Sequence, residues 1–456
     1  MISSNLGEMA ALLGAELHGD PVAFAGVGID TRRPLDGALY VALRGDRFDG
    51  NEFVAQAFDA GAVAAIVERV TDRLPHIRVE DTRIALGRIA AWWRSRFEGP
   101  VIGVTGSNGK TTVKELIARI LTVGGPALAT AGNLNNDIGV PLTLFRLQPE
   151  HRAAVCEMGA NHPGEIAYLA AIARPDVGLV TNASAAHLEG FGSIEGVARA
   201  KGEMFAGLAA DGTAVVNADD QYAVLWRQLS GERRIVSFGI DAPADVRARD
   251  IAAAGPAATG FELCTPAGDV PLRLPLPGRH NVMNALAAAA ACLAAGISLD
   301  DVRAGLESAT AISGRLRVAS ALNGATLIDD CYNANPASLR AGIEYLTGLG
   351  GEPWLVFGDM GELGADREAI HREVGELARK SGVVRMFAVG DLARHAARSF
   401  GQAAEWFETP DDLAAQLRAE IHDGVNVLIK ASRAMGLESV VRAIEVAGSD
   451  NTAEGV

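Results

Sequence analysis

The chain has 456 residues, of which 49% are apolar, and carries a net charge of −15 at pH 7. The length exceeds one ordinary domain and predicts roughly two to four, with apolar content ample for buried cores. The acidic balance argues against a non-specific nucleic-acid binder, so any anionic substrate needs locally placed basic groups and backbone N–H donors.

The N-terminus has no basic region, since the first arginine is Arg32, and its apolar stretch around Met9 to Leu13 is short. No signal peptide is expected. Residues 1–97 alternate short strands and helices. Leu39 to Leu43 and Ala64 to Val67 predict buried strands; Glu52 to Ala60 and Ile84 to Phe97 predict helices. Gly99-Pro100 punctuates the join to the second unit.

Residues 98–312 continue the βα pattern. The apolar run from Val101 feeds Thr105-Gly-Ser-Asn-Gly-Lys-Thr-Thr112, and a helix is predicted over Val113 to Leu121. A glycine-rich turn at a helix N-terminus aims backbone N–H groups at phosphate oxygens. In that setting Lys110 neutralises β/γ-phosphates and the Thr111 hydroxyl holds Mg²⁺. The bland reading is a glycine turn with a solvated Lys110. The spacing departs from the common rule: Val104 stands in the first-glycine slot, Gly103 lies one residue earlier, and Gly106 breaks the loop. A generic motor or GTPase is therefore not the automatic reading.

Strands are predicted at Ala153 to Cys156, Val177 to Val180 and Ala214 to Val216, in a mostly parallel sheet. A small antiparallel insertion is expected over residues 241–278, with strands at Phe261 to Cys264 and Val270 to Leu274. The Ala-rich run Ala285 to Ala295 is too short to span a bilayer and predicts a buried helix. Residues 313–456 predict a second doubly wound α/β unit, with strands at Thr326 to Asp329, Trp354 to Phe357, Met386 to Val389 and Val425 to Ile429. The polar tail after Ala447 is expected to fray. The cysteines, Cys156, Cys264, Cys292 and Cys331, form no C-x-x-C pair. They predict neither disulfides nor a zinc site and fit a reducing cytosol.

Several polar residues fall at predicted strand ends, where open α/β sheets place ligands. Glu157 suits Mg²⁺, a hard cation that prefers oxygen; the alternative is a solvated glutamate. His187 is either a site residue or a structural histidine. Lys201 is either a surface lysine or one whose pKa is shifted by neighbouring charge, leaving a reactive amine. The amides of Asn281 and Asn284 suit an adenine edge, against ordinary helix capping by Asn281. Arg315, at a domain join, is placed to reach a γ-phosphate when domains close. Asp329 to Pro336 gathers polar candidates in a few residues. Gly358-Asp-Met-Gly-Glu-Leu-Gly364 is a weak hint of dinucleotide binding.

Together these blocks resemble the Mur ligases of peptidoglycan synthesis over nearly the whole chain. The resemblance rests on Asp30-Thr-Arg32, Phe48-Asp-Gly50, Thr105 to Thr111, Asn133 to Leu142, Glu157 to Glu165, His187, Lys201-Gly-Glu203, His280-Asn281, Asp330 to Asn335 and Gly358 to Gly364. The Tyr-Asn-Ala-Asn-Pro and Gly-Asp-Met-x-Glu-Leu-Gly blocks look like the D-alanyl-D-alanine-adding member. The resemblance implies three domains: residues 1–97 binding the UDP substrate, 98–312 a P-loop-like ATPase, and 313–456 a Rossmann-like unit for the incoming dipeptide. It implies an ATP-dependent ligase joining D-alanyl-D-alanine to UDP-N-acetylmuramoyl-tripeptide through an acyl phosphate. Such an enzyme is expected to be cytoplasmic and monomeric, with no nucleic-acid partner and no membrane span.

The resemblance also implies residue roles. Gly106, Ser107, Asn108, Gly109, Lys110, Thr111 and Thr112 hold ATP phosphates, Asn281 contacts adenine, Arg315 the γ-phosphate, and Asp330 belongs to the ATP side. Two Mg²⁺ sites are expected, drawing on Thr111, Glu157, His187 and Lys201, the last as a carbamate. Lys110, His187, Lys201 and Arg315 form the catalytic set. Asp30, Thr31 and Arg32 face the UDP group, Asn135 and Asn136 the muramoyl-peptide, and Tyr332, Asn333 and Asn335 complete the substrate side. The chain departs from the family pattern at Thr31 and Gly28 (serine is usual), Asn51 (histidine) and Ala431 (glycine). Another Mur ligase or a folylpolyglutamate synthase would share the phosphate chemistry. A nucleotide-regulated binding protein would bind ATP without turnover.

Overall fold

The structure, a computed structural model, describes residues 1–45, 47–185 and 188–446. His187 and the tail expected to fray lie outside the described residues. Three sheets carry the α/β architecture, and a two-stranded antiparallel pair, Ser3–Asn5 with Ala23–Ala25, sits beside the first.

The first sheet has five strands, in the order Glu16–His18, His76–Arg78, Ala64–Val67, Leu39–Val41 and Val27–Gly28. All its pairings are parallel except at the Glu16–His18 edge. The helix expected over Glu52 to Ala60 forms as a 3₁₀ turn, Gly50–Phe53, followed by the α-helix Val54–Asp59. Asp49 caps that 3₁₀ turn by accepting from the Asn51 N–H. Helix Thr82–Arg94 is capped by Asp81, whose carboxylate accepts from the Arg83 and Ile84 N–H groups. Its apolar face, Leu86, Ile89 and Ala90, belongs to one core with Leu144, Ile166 and Leu169 of the central unit. The first two units are thus fused by a shared apolar layer rather than joined by a bare linker. Arg94 reinforces the seam by donating to Ala173 O at 2.9 Å and to the Asp176 carboxylate at 3.1 Å.

The central sheet has nine strands, with Val101–Thr105 between Ala153–Glu157 and Val177–Val180, all parallel. These strands are almost entirely apolar because both of their faces are covered. Helices Lys110–Val123 and Arg279–Ala294 cover one face, and Glu165–Ala173 and Ile194–Ala206 the other. The chain order reverses around Val101–Thr105, which is where a doubly wound sheet opens a crevice at its strand C-termini. The segment expected as an antiparallel insertion extends this same sheet. Val246–Ala253 pairs parallel to Arg234–Gly239, then antiparallel to Thr259–Thr265, which pairs with Gly268–Leu274.

The third sheet has six strands: Arg317–Ser320, Thr326–Asp329, Val425–Lys430, Glu352–Gly358, Arg385–Val389 and Ala404–Phe407. Only the first pairing is antiparallel. Thr326–Asp329 and Val425–Lys430 run side by side, so their C-terminal ends deliver Asp330 and Lys430 to the same edge of the cleft. Among the described residues no helix is long and apolar enough to cross a membrane, and the four cysteines are free and buried.

Candidate active site

A cleft of about 1000 Å³ opens where the three units meet. The central unit lines it with residues 107–112, the third unit with Arg315, Tyr332 and Asn335, and the first with Asp81 and Arg83. The floor is the turn after Val101–Thr105. Gly106 has φ 142°, and a Cβ there would fall 1.9 Å from Thr181 Oγ1. Gly109 has φ 79°, and its Cβ would fall 2.4 Å from Asn284 Oδ1. Both positions demand glycine on conformation and on space. Helix Lys110–Val123 starts at Gly109 with no side-chain cap and begins three residues earlier than the apolar pattern predicted. Its first N–H groups therefore face the cleft at the positive end of the helix dipole.

The turn is braced by residues that no local motif indicated. Asn182 accepts from the Ser107 and Asn108 N–H groups through its carbonyl and side-chain oxygens, at 2.9 and 3.0 Å. The Thr181 hydroxyl donates to Asn108 O at 2.6 Å, and Asn108 Nδ2 donates to Ser184 Oγ at 2.8 Å. Lys110 curls over its own loop, donating to Gly106 O at 2.7 Å and Ser107 O at 3.2 Å. Burial lowers the pKa of Lys110, opposed by the charge of nearby Glu157 and assisted by that of Arg315.

Glu157 ends its strand at 1% exposure, which removes the solvated reading. Asn135 Nδ2 donates to its Oε1 at 2.8 Å, while Oε2 is buried without a hydrogen-bond partner. A buried carboxylate oxygen left unpartnered is costly and suits a hard cation. Together with the Thr111 hydroxyl, it fits Mg²⁺. Among the described residues no cluster of three His, Cys, Asp or Glu is poised as a metal cage.

Lys201 is 2% exposed on helix Ile194–Ala206, so it is not a surface lysine. Its ammonium donates to Ala160 O at 3.2 Å and lies 5.2 Å from the centre of the Phe191 ring. Burial, then the charge of Lys110, brings its pKa down to about 7. Glu203, close by on the same helix, accepts from the Gly164 and Ala167 N–H groups and so caps the neighbouring helix Glu165–Ala173.

The third unit closes the cleft through Arg315. Its Nη2 donates to Thr111 Oγ1 at 2.9 Å, and its guanidinium lies 4.2 Å from the centre of the Tyr332 ring. Asn335 Nδ2 donates to Asn108 Oδ1, a second bridge to the loop. Asn335 also caps helix Pro336–Gly348, accepting from the Ser338 N–H at 2.9 Å. Asp330, at the cleft wall, accepts from the Nζ of buried Lys430 at 2.6 Å, and Lys430 also donates to Asn333 O at 3.0 Å. Sequence reasoning gave Lys430 no role, because its partner lies 100 positions away in the chain.

Asn281 does not cap its helix, contrary to the capping alternative. Gly278 takes that position, and the Asn281 amide donates to Pro277 O at 2.7 Å and accepts from Asn284. His280 beside it is held neutral: burial, then the Lys430 charge, lowers its pKa to about 4. Asn136 caps the turn into Gly139–Leu144 by accepting from the Gly139 N–H at 2.9 Å. Asp30, Thr31 and Arg32 do not line the cleft. Asp30 and Arg32 form a bidentate pair with both bonds at 2.8 Å, which lowers the Asp30 pKa to about 2. Nearby, a Cβ at Gly28 would fall 2.2 Å from Leu35 Cδ2, and the Asn51 side chain is spent on Glu68 N–H and Asp49.

The Gly358 to Gly364 block is not a dinucleotide turn. Its Asp359 carboxylate already accepts from the Leu392 and Ala393 N–H groups, at 3.0 and 2.7 Å. The block still reaches the cleft, which Gly361, Glu362 and Leu363 line.

Family models match the chain in three segments: residues 23–94 as the Mur ligase family catalytic domain, 104–292 as the Mur ligase middle domain, and 314–433 as the Mur ligase glutamate ligase domain. The UDP-N-acetylmuramoyl-tripeptide–D-alanyl-D-alanine ligase of Escherichia coli is 45% identical over 98% of this chain and all of its own length. A crystal structure of MurF from Acinetobacter baumannii superposes with a TM-score of 0.92 at 36% identity, covering 97% of this chain and 98% of the other. MurF from Thermotoga maritima in complex with ADP superposes with a TM-score of 0.83 at 29% identity, covering 92% and 96%. A glycine loop with an open helix end, an unpartnered buried carboxylate and an arginine from the third unit thus meet in a chain matched along its whole length: it belongs to the Mur ligase family.

Proposed function

We propose that the chain joins D-alanyl-D-alanine to UDP-N-acetylmuramoyl-tripeptide at the expense of ATP. The products are UDP-N-acetylmuramoyl-pentapeptide, ADP and phosphate, in peptidoglycan precursor synthesis. The observation that carries the reading is the reach of Arg315 across the cleft to Thr111, at the mouth of an uncapped phosphate loop. A binding protein has no need to bring a second unit's guanidinium to the phosphate end. An enzyme that transfers the γ-phosphoryl group does.

A free carboxylate resists attack by an amine because its oxygen is a poor leaving group. The tripeptide carboxylate attacks the γ-phosphorus, the bond to the ADP oxygen breaks, and an acyl phosphate forms. Lys110, uncurled from Gly106 O and Ser107 O, follows the charge on the transferring oxygens, and Arg315 stabilises it from the other side. Mg²⁺ at Thr111 and Glu157, and a second ion served by His187 and carbamylated Lys201, would neutralise phosphate charge. The Lys201 amine adds to CO₂ and loses a proton, which replaces a buried cation near Lys110 with an anion. The amine of D-alanyl-D-alanine then attacks the acyl carbon, phosphate leaves, and the amide forms. Water has to be kept out while the acyl phosphate lives, and the Arg315–Thr111 and Asn335–Asn108 bridges hold the third unit over the loop.

In this scheme residues 1–97 hold the UDP group, with Asp30, Thr31 and Arg32 at its contact; residues 98–312 hold ATP; and residues 313–456 hold the dipeptide. Asn281 lies on the adenine side and Asp330 on the ATP side. Asn135 and Asn136 take the muramoyl-peptide, and Tyr332, Asn333 and Asn335 the substrate side. The enzyme works as a cytoplasmic monomer. The test is ADP release by the purified chain with each substrate alone and both together. Release and pentapeptide only with both supports the reading; equal release without either substrate leaves an ordinary ATPase.

A further inference from the structure

We propose that Arg433 is the specificity residue that receives the C-terminal carboxylate of the incoming dipeptide, an inference that rests on the function proposed above. That substrate is zwitterionic: its amine must reach the acyl carbon, so its carboxylate needs a cation some distance from the phosphates. Two cations of the third unit line the cleft, Arg315 and Lys430, and a third, Arg433, stacks on Tyr332, which lines it. Arg315 is committed to Thr111. Lys430 spends its donors on Asp330 O, Asp330 Oδ2 and Asn333 O. The Arg433 guanidinium lies 4.7 Å from the centre of the Tyr332 ring and, among the described residues, has no oxygen acceptor. Tyr332 also carries Arg315 at 4.2 Å, so one ring links the guanidinium at the phosphate loop to that of Arg433. An extended dipeptide spans about 7 Å, the scale of a path around that ring.

The loop that carries Arg433 is fixed to the cleft wall. Ser432 N donates to Asp359 O at 3.0 Å, and Gly361 N donates to Ser432 Oγ at 2.7 Å. Gly361 itself lines the cleft. The planar fork of a guanidinium matches a carboxylate with two parallel hydrogen bonds, and stacking on Tyr332 orients it beforehand. Because the side chain is exposed, its replacement leaves the core untouched.

The test compares D-alanyl-D-alanine with its C-terminal amide in the intact chain and in Arg433→Ala and Arg433→Lys. The unaltered chain is expected to favour the carboxylate about tenfold to a hundredfold in kcat/KM. Arg433→Ala should raise the KM for the dipeptide by a similar factor and lose that preference. Arg433→Lys should keep part of it, and the KM values for ATP and the UDP-tripeptide should stay unchanged. A role confined to packing on Tyr332 would slow both dipeptide forms equally and leave the preference intact, which overturns the proposal. An unaltered chain that uses the dipeptide without preferring the carboxylate also overturns it, while the function stands. An unaltered chain that does not use the dipeptide overturns both.

Discussion

Two glycine-rich loops end strands of two similar α/β sheets, and they do opposite things. The loop at 106–109 leaves the first turn of helix Lys110–Val123 without a side-chain cap, so its N–H groups stay free for a ligand. The block at 358–364 supplies its own anion: Asp359 accepts from Leu392 and Ala393 and satisfies N–H groups that a phosphate would otherwise need. The glycines are alike; the difference is whether a carboxylate from the chain already occupies the donors. A glycine pattern marks where backbone can approach an anion, and the local hydrogen bonds say whether the anion is substrate or side chain.

The largest effect should follow Lys110→Ala, with ADP release falling about a hundredfold to a thousandfold, because the charge that follows the γ-phosphoryl group is gone. Steady-state kinetics checks it; near-unaltered turnover would put the 106–109 loop in the same structural class as the 358–364 block. Lys201→Ala should collapse activity by about a hundredfold, with partial return on adding short carboxylic acids that replace the carbamate. The same group gives a pH dependence. Its pKa is lowered to about 7, so the amine is neutral above that value and protonated below it. Carbamate, and with it turnover, should be lost as pH falls through about 7, and the loss should be absent from a Lys201→Ala enzyme rescued with carboxylic acid.

Arg315→Ala should lower kcat about tenfold to a hundredfold while changing the KM for ATP little, since its contact matters when the third unit closes. Equal changes in both would place Arg315 in ground-state binding. The smallest effect on catalysis should come from Asp359→Ala. Two N–H groups lose their acceptor, at about 1–3 kcal/mol of stability, visible in denaturant unfolding, while the KM for ATP holds. A raised KM for ATP instead would make the second loop a nucleotide site and erase the comparison.

Strands in all three units were legible because their signals are local. Ala64–Val67, Val177–Val180 and Thr326–Asp329 have the predicted bounds, since continuous apolar runs between turn residues describe strands covered on both faces. Lys110 and Thr111 stood out because a phosphate loop is contiguous in sequence. Contacts made by folding were not legible: Arg315 reaches Thr111 over 204 positions, and Asn335 reaches Asn108 over 227. The Asp330–Lys430 pair was hidden for the same reason, since two strands must first lie side by side. Asn281 shows the converse: a residue with strong capping preference sits inside the helix, and the capping alternative falls because Gly278 takes the cap position. The shared core between the first two units was hidden as well, since it joins apolar helix faces from separate units that meet only in the fold.

An acyl phosphate formed at the 106–109 loop is the intermediate on which the proposed reaction depends. It is tested most directly with UDP-N-acetylmuramoyl-tripeptide carrying ¹⁸O in the reacting carboxylate, with mass analysis of the phosphate released when D-alanyl-D-alanine is added. Transfer of one ¹⁸O atom to phosphate per amide bond formed is the predicted result. Unlabelled phosphate alongside normal pentapeptide would contradict an acyl phosphate route.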